Sequence, residues 1–128
     1  MSYYFSKLLE ISFDDAIKHV IEELKKEGFG ILTEIDVKQT LKKKLNVDFY
    51  NYKILGACNP NFAYQALQAE NKIGTMLPCN VIIQERSKGK VEVSAVDPIA
   101  SMKAVENSQL KKIAEQVQAK LHKVINNL

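Results

Sequence analysis

The amino-acid sequence predicts an α+β fold, in which an antiparallel sheet carries its helices on one face. The predicted order is a strand, a helix, several strands and a closing helix, which differs from the alternating strands and helices of a parallel sheet. A three-residue connection with a glycine, residues 87–89, joins two of the strands and is typical of an antiparallel hairpin. The length of 128 residues suits one domain over residues 1–128.

The chain opens with a predicted strand and a predicted helix. In residues 3–11 apolar side chains occupy alternate positions, as they do in a half-buried strand. Ser12 then offers an N-cap, and the apolar residues after it recur at helical spacing until Gly28 supplies a stop. These apolar residues are Ala16, Ile17, Val20, Ile21 and Leu24.

Alternation also predicts a second strand over residues 31–37. We expect two acids, Glu34 and Asp36, to share one face of this strand with Leu32. The opposite face is then formed by Ile31, Thr33, Ile35 and Val37. A short, lysine-rich helix is expected to follow and to end near Leu45.

The second half of the chain predicts three further strands and two helices. The strands cover residues 52–58, 79–86 and 90–96. Asn59 is a candidate N-cap for a helix that Pro60 begins, because proline is favoured at the first helical position. Asn107 or Ser108 caps the last helix, whose apolar stripe consists of Leu110, Ile113, Ala114, Val117, Leu121, Val124 and Ile125.

The basic residues of the chain argue against nucleic-acid binding. The net charge is +3, and all but one of the 18 basic residues are lysines. Arg86, the single arginine, leaves little capacity for the bidentate recognition of phosphate or guanine. The densest basic run, residues 42–44, is interpreted as a solvated helix face. We therefore expect no nucleic-acid partner.

The sequence also predicts a cytoplasmic protein with no membrane contact. Its apolar runs are only a few residues long, against the roughly 20 residues that cross a bilayer. Residues 1–7 lack the features of a secretory signal. The 2 cysteines fit a reducing compartment, where thiols stay unpaired.

Three segments together resemble the bacterial and archaeal domain-of-unknown-function family 302. They are residues 28–36, 52–60 and 73–81, the last two containing Ala-Cys-Asn-Pro and Leu-Pro-Cys-Asn. The resemblance spans the whole chain. It implies a compact domain of the TATA-box-binding-protein-like fold group, with the order strand, helix, four strands, helix, often found as a homodimer. A shared fold implies no shared function, so DNA binding does not follow from it.

The two cysteines are the first candidates for a functional site. Cys58 stands just before the expected N-cap Asn59, where helix N–H groups favour a thiolate. Cys79 starts a predicted strand and precedes Asn80. If the two strands are neighbours, both thiols lie on one rim of the sheet. The alternative is that both are small buried residues, as free cysteines often are.

Glu34 and Asp36 are the second candidates. Two carboxylates on one strand face can divide acid and base roles or bind a hard cation. They suit a solvated sheet face equally well, and no histidine or third acid stands near them in the sequence.

Three hypotheses follow, and none assigns a reaction or a cofactor. The first is a non-catalytic module that binds a small ligand or a protein near the Cys58 and Cys79 rim. The second is redox or sulfur-transfer chemistry, with Cys58 as the reactive thiolate and Cys79 as its partner. The third is a metal site that joins these thiols with Glu34 or Asp36. Whether the protein is an enzyme stays open at this point.

Overall fold

The computed structural model describes residues 2–128 and confirms the predicted α+β class. The chain forms five strands and five helices in the order β1, α1, β2, α2, β3, α3, β4, β5, α4 and α5, and a 3-10 turn, Ile73–Met76, precedes the fourth strand. The strands are β1 (Tyr4–Leu9), β2 (Gly30–Asp36), β3 (Asn51–Cys58), β4 (Cys79–Ser87) and β5 (Lys90–Val96). The helices are α1 (Phe13–Lys26), α2 (Val37–Leu45), α3 (Pro60–Ala69), α4 (Pro98–Ser101) and α5 (Ser108–Asn126).

All five strands form one antiparallel sheet in the order β1-β5-β4-β3-β2. The main core lies between one face of this sheet and the apolar stripes of α1 and α5. Strand alternation supplies the sheet side of that core from every second residue. Its fully buried members include Val20, Leu24, Leu55, Val81, Ile83, Val91, Val93, Leu121 and Val124.

The two longest helices begin where their capping residues predict. The Ser12 hydroxyl accepts a hydrogen bond from the Asp15 backbone N–H at 3.1 Å. The Asn107 side chain accepts from the backbone N–H groups of Gln109 and Leu110 and donates to the Ala69 carbonyl at 2.8 Å. Side-chain caps satisfy N–H groups that have no partner within the helix, so short polar residues mark these boundaries in the sequence.

The predicted alternation of β2 is interrupted at Leu32: Glu34 and Asp36 share one face as predicted, but Ile31 does not share a face with Thr33 and Ile35. Ile31 pairs with Ala57 on the helix-covered face, whereas Thr33 pairs with Gly56 and points to the other face. The register shifts between Ile31 and Thr33, so Leu32 is an extra, bulged residue. A bulge of one residue reverses the face of everything after it, which a regular pattern cannot reveal.

The face of the sheet opposite α1 and α5 is called the open face below. Several large apolar side chains on it are exposed: Tyr4, Leu8 and Ile35 have exposed fractions of 44%, 58% and 46%. None of the helices formed by residues 2–128 combines the length and the apolar composition that a bilayer span requires.

Candidate functional site

An apolar pocket of about 330 Å³ lies where β3 ends and β4 begins. Helices α3 and α5 form two of its walls, Phe29 contributes from the connection between α1 and β2, and Pro98 from the start of α4. Its lining residues are Phe29, Leu32, Ala57, Cys58, Asn59, Phe62, Ala63, Ala66, Leu67, Gly74, Leu77, Pro78, Cys79, Pro98, Met102, Leu110, Ile113, Ala114 and Val117. Among them Asn59 alone has an amide side chain, and within residues 2–128 no charged side chain lines the pocket.

Both cysteines line this apolar pocket. Residue Ala57 is opposite Cys79 in the antiparallel register of β3 and β4, so Cys58 is the next residue along β3. The strands are therefore neighbours, as the hypothesis of a shared rim required. Cys58 is half-buried, Cys79 is buried with 9% of its surface exposed, and both thiols are free.

Burial raises the pKa of both thiols. Desolvation lifts the pKa of Cys58 above its ordinary value. For Cys79 desolvation acts first and the nearby Cys58 adds to it, and together they raise the pKa to about 11. Since the apolar surroundings penalise a charged sulfur, the neutral thiols prevail at physiological pH. This speaks against the thiolate on which redox or sulfur-transfer chemistry depends.

Gly56 has a structural role where β2 and β3 meet the segment before β4. A Cβ on this residue would overlap the Thr33 hydroxyl and lie 2.7 Å from Pro78 Cγ, so only glycine lets β2, β3 and the segment before β4 approach this closely. The Leu77–Pro78 peptide bond is cis. Four residues of the two Cys-Asn motifs line the apolar pocket together with the thiols: Ala57, Asn59, Leu77 and Pro78.

The prediction that Asn59 caps α3 is wrong in its mechanism. Asn59 occupies the N-cap position and Pro60 begins the helix, but the Asn59 side chain makes no capping hydrogen bond. Its amide instead donates to the Glu27 carbonyl at 3.2 Å, beside Gly28, whose φ is 87°. Asn59 thus ties the start of α3 to the turn between α1 and β2. A local pattern cannot disclose a partner 32 residues away.

The remaining predicted site residues lie outside the apolar pocket. Glu34 approaches Lys53 Nζ at 3.8 Å, and the Asp36 carboxylate caps α2 by accepting from the Gln39 N–H at 2.9 Å. Asn80 is exposed and pairs with Gly56 in the sheet register, which puts it on the open face.

The geometry of β2 also separates the acids from the thiols. Cys58 pairs with Gly30 at one end of β2, and Asp36 is at the other end, on the order of 20 Å away at the rise of a strand. Glu34 is four residues along the strand from Gly30. Across residues 2–128 no group of three or more His, Cys, Asp or Glu side chains is arranged to hold a metal ion. The proposed ligand set of thiols with Glu34 or Asp36 is therefore not assembled.

The sequence did not single out most residues of the apolar pocket. Leu110, Ile113, Ala114 and Val117 belong to the apolar stripe of α5, which reads as ordinary core. Leu32 reaches the pocket at the β2 bulge.

Comparison with known proteins identifies the chain's relatives. The family model described as "Domain of unknown function DUF302" matches residues 5–128. No curated protein matches the chain. A crystal structure of an uncharacterized conserved protein DUF302 from Bacillus stearothermophilus superposes with a TM-score of 0.90 at 25% sequence identity, covering 98% of each chain.

Proposed function

The chain belongs to the family described as Domain of unknown function DUF302, and for this member we propose a non-catalytic role: binding a small, mostly apolar ligand in the apolar pocket. The observation that supports it is the lining of a pocket of about 330 Å³ by aliphatic, aromatic and thiol groups. Ligand sites are typically concave, largely apolar and at least ~300 Å³ in volume. We also propose that residues 1–128 form a single domain.

The chemistry of the lining supports binding rather than catalysis. A general acid or base needs a titratable group near neutral pH, and a nucleophile needs an activating base. The two thiols are the titratable groups of the pocket, and burial raises the pKa of both away from neutrality. What the lining does offer is apolar contact area, which stabilises a bound ligand by about 0.8 kcal/mol per buried methylene.

A neutral fluorescent probe tests this proposal. N-phenyl-1-naphthylamine fluoresces strongly only in apolar surroundings, and we expect it to bind and to be displaced by medium-chain alcohols. Ala63→Leu adds volume within the pocket and should weaken probe binding ten-fold or more. Ala119→Leu makes the same change at an exposed position of α5 and should leave binding unchanged. Equal binding by both variants, with the folded state intact by circular dichroism, would contradict the proposal.

We further propose that the protein forms a homodimer through its open face. Five strands spaced about 4.8 Å apart, each six to nine residues long at about 3.3 Å per residue, make a face on the order of 600 Å². Two such faces bury roughly 1,200 Å², the lower bound of a standard interface. The exposed apolar residues of this face, Tyr4, Leu8 and Ile35, support the same assignment.

Sedimentation velocity tests the dimer. Leu8→Lys introduces a charge into the proposed interface and should yield a monomer at micromolar concentration. Leu45→Lys is the matched control, because Leu45 is equally apolar, 66% exposed and located at the end of α2. A wild-type protein that sediments as a monomer, or a dimer that survives Leu8→Lys, would refute this interface.

We assign the protein to the cytoplasm, in keeping with two free thiols.

A further inference from the structure

A second cavity, called the polar cavity below, adjoins the apolar pocket. Its volume is about 390 Å³, and it lies against α4, the start of α5 and the connection between them. Three residues line both spaces: Met102, Leu110 and Ala114. Leu110 and Ala114 are four residues apart and therefore stand one above the other on the same face of α5. The three shared side chains thus form a wall between the two cavities.

The partition beside α5 is completed by Met102. This residue is half-buried and packs against the small cluster formed by Ala66, Ile73 and Leu110. Methionine is unbranched and has three rotatable side-chain bonds, so it can repack around a guest more easily than a β-branched residue. Met102 is therefore the residue of this wall best able to move aside for a ligand chain that extends from the apolar pocket into the polar cavity.

The two cavities differ sharply in polarity. The apolar pocket has no charged lining group within residues 2–128, whereas the polar cavity is lined by Asp97, Lys103, Glu106 and Lys111. Asp97 is already engaged, since its Oδ1 accepts from the Ile99 N–H at 3.0 Å and from Gln118 Nε2 at 3.1 Å.

The two lysines of the polar cavity are cationic donors that remain available to a ligand. Neither Lys103 nor Lys111 joins any of the ion pairs formed within residues 2–128. Glu106 forms no ion pair in that part of the chain either, so one carboxylate and two ammonium groups of the lining are without an ion-pair partner. The four charges of the lining cancel formally, but two of the three charged groups that remain without a partner are ammonium donors, which suits a head group that accepts hydrogen bonds.

We propose that the ligand is an amphiphile with a medium-length hydrocarbon chain and a carboxylate head group. The chain occupies the apolar pocket, and the head lies in the polar cavity between Lys103 and Lys111. This inference rests on the proposed function and specifies the ligand of that same site. A volume of about 330 Å³ lies at the small end of the roughly 300 to 1,000 Å³ typical of ligand sites, which favours a chain of medium length.

Competition between two homologous series tests the inference. Hexanoate, octanoate and decanoate, and the alcohols of equal length, are titrated against bound N-phenyl-1-naphthylamine at low ionic strength and below their aggregation limits. We expect affinity to rise about four-fold per methylene in both series. At equal chain length the carboxylate should bind about ten-fold more tightly than the alcohol, because charge-assisted hydrogen bonds are the stronger ones.

Charge-neutral variants locate the head group. In the double variant Lys103→Gln with Lys111→Gln, the preference for carboxylate over alcohol should vanish while the affinity for the alcohol is unchanged. Lys112→Gln removes the same charge from the neighbouring exposed position of α5, which does not line the polar cavity, and should leave the preference intact.

The possible failures are distinguishable. Equal binding of carboxylate and alcohol, or a preference that survives the double variant, overturns the carboxylate assignment and leaves apolar binding in place. If neither series displaces the probe and Ala63→Leu does not weaken probe binding, the apolar pocket is not a ligand site and both proposals fall.

Discussion

The buried thiol of Cys79 predicts a specific loss of stability at alkaline pH. Burial raises its pKa from 9.0 to about 11 in the folded protein, while the unfolded chain retains the ordinary value. The folded state therefore holds this proton more tightly than the unfolded state does. The stabilisation is fully present below about pH 9 and is lost as the pH rises through the folded pKa, because the unfolded state alone gains by ionising.

The size of the effect follows from the pKa difference. A change of one pKa unit corresponds to 1.36 kcal/mol, so about two units correspond to a loss on the order of 2 to 3 kcal/mol between pH 8 and pH 11. Tyrosines and lysines also titrate in this range, and the comparison must therefore be made with Cys79→Ala. That variant carries a constant packing penalty but lacks the ionising group.

Urea denaturation of wild type and variant at several pH values measures the difference. The gap is the unfolding free energy of wild type minus that of Cys79→Ala. We expect this gap to fall by about 2 kcal/mol as the pH rises from 8 to 11. Cys58→Ala serves as the control, since Cys58 is only half-buried and should give a smaller change. A gap that stays constant with pH would refute the claim that Cys79 is held as a neutral thiol by burial.

Two further predictions concern stability alone, and both are read from urea denaturation. Gly56→Ala should lower the free energy of unfolding by about 1 to 3 kcal/mol because the added Cβ meets neighbouring atoms. Gly30→Ala should leave it nearly unchanged, since nothing lies within 4 Å of the new Cβ. Equal effects of the two substitutions would contradict the packing described. Asn107→Ala should lower the free energy of unfolding by about 1 to 2 kcal/mol because α5 loses its N-cap. Asn127→Ala, at an exposed position, should change it little. A neutral Asn107→Ala would mean that the cap contributes nothing.

Much of the fold was predictable because its signals are local. The Ser12 cap, the helical spacing up to Leu24 and the stripe of α5 are each contained in one segment of the chain, and all three are confirmed. The hairpin of β4 and β5 was likewise encoded in its glycine-containing connection, where Gly89 has a φ of 80°. The order of elements then limits the topology to an antiparallel sheet.

The errors arose where a distant contact overrides a local pattern. The bulge at Leu32 reverses the faces of β2, and it depends on the register with β3 rather than on the alternation of β2 itself. Asn59 has the sequence context of a helix cap, yet it donates to the Glu27 carbonyl. Short elements were also missed: α4 and the 3-10 turn Ile73–Met76 carry too few residues to display a period.

Only part of the candidate site could be predicted from the sequence. Cys58 and Cys79 were correctly expected to be neighbours if their strands paired, because the two motifs flank one predicted helix. The walls of the apolar pocket come from α3, α5 and the segment around Met102, whose apolar residues have no sequence feature that distinguishes a pocket lining from a core. Nothing in the sequence itself indicates that such a stripe leaves a space unfilled.

Methyl NMR tests the central claim, that the apolar pocket takes up an apolar ligand. The protein, labelled at alanine and isoleucine methyl groups, is titrated with 1-octanol. We predict saturable shifts for Ala66, Ala114 and Ile113, which line the pocket, and none for Ile83 in the main core or Ala119 on the surface. Unchanged pocket methyls at saturating octanol, or shifts as large at Ile83 as at Ile113, would contradict the account.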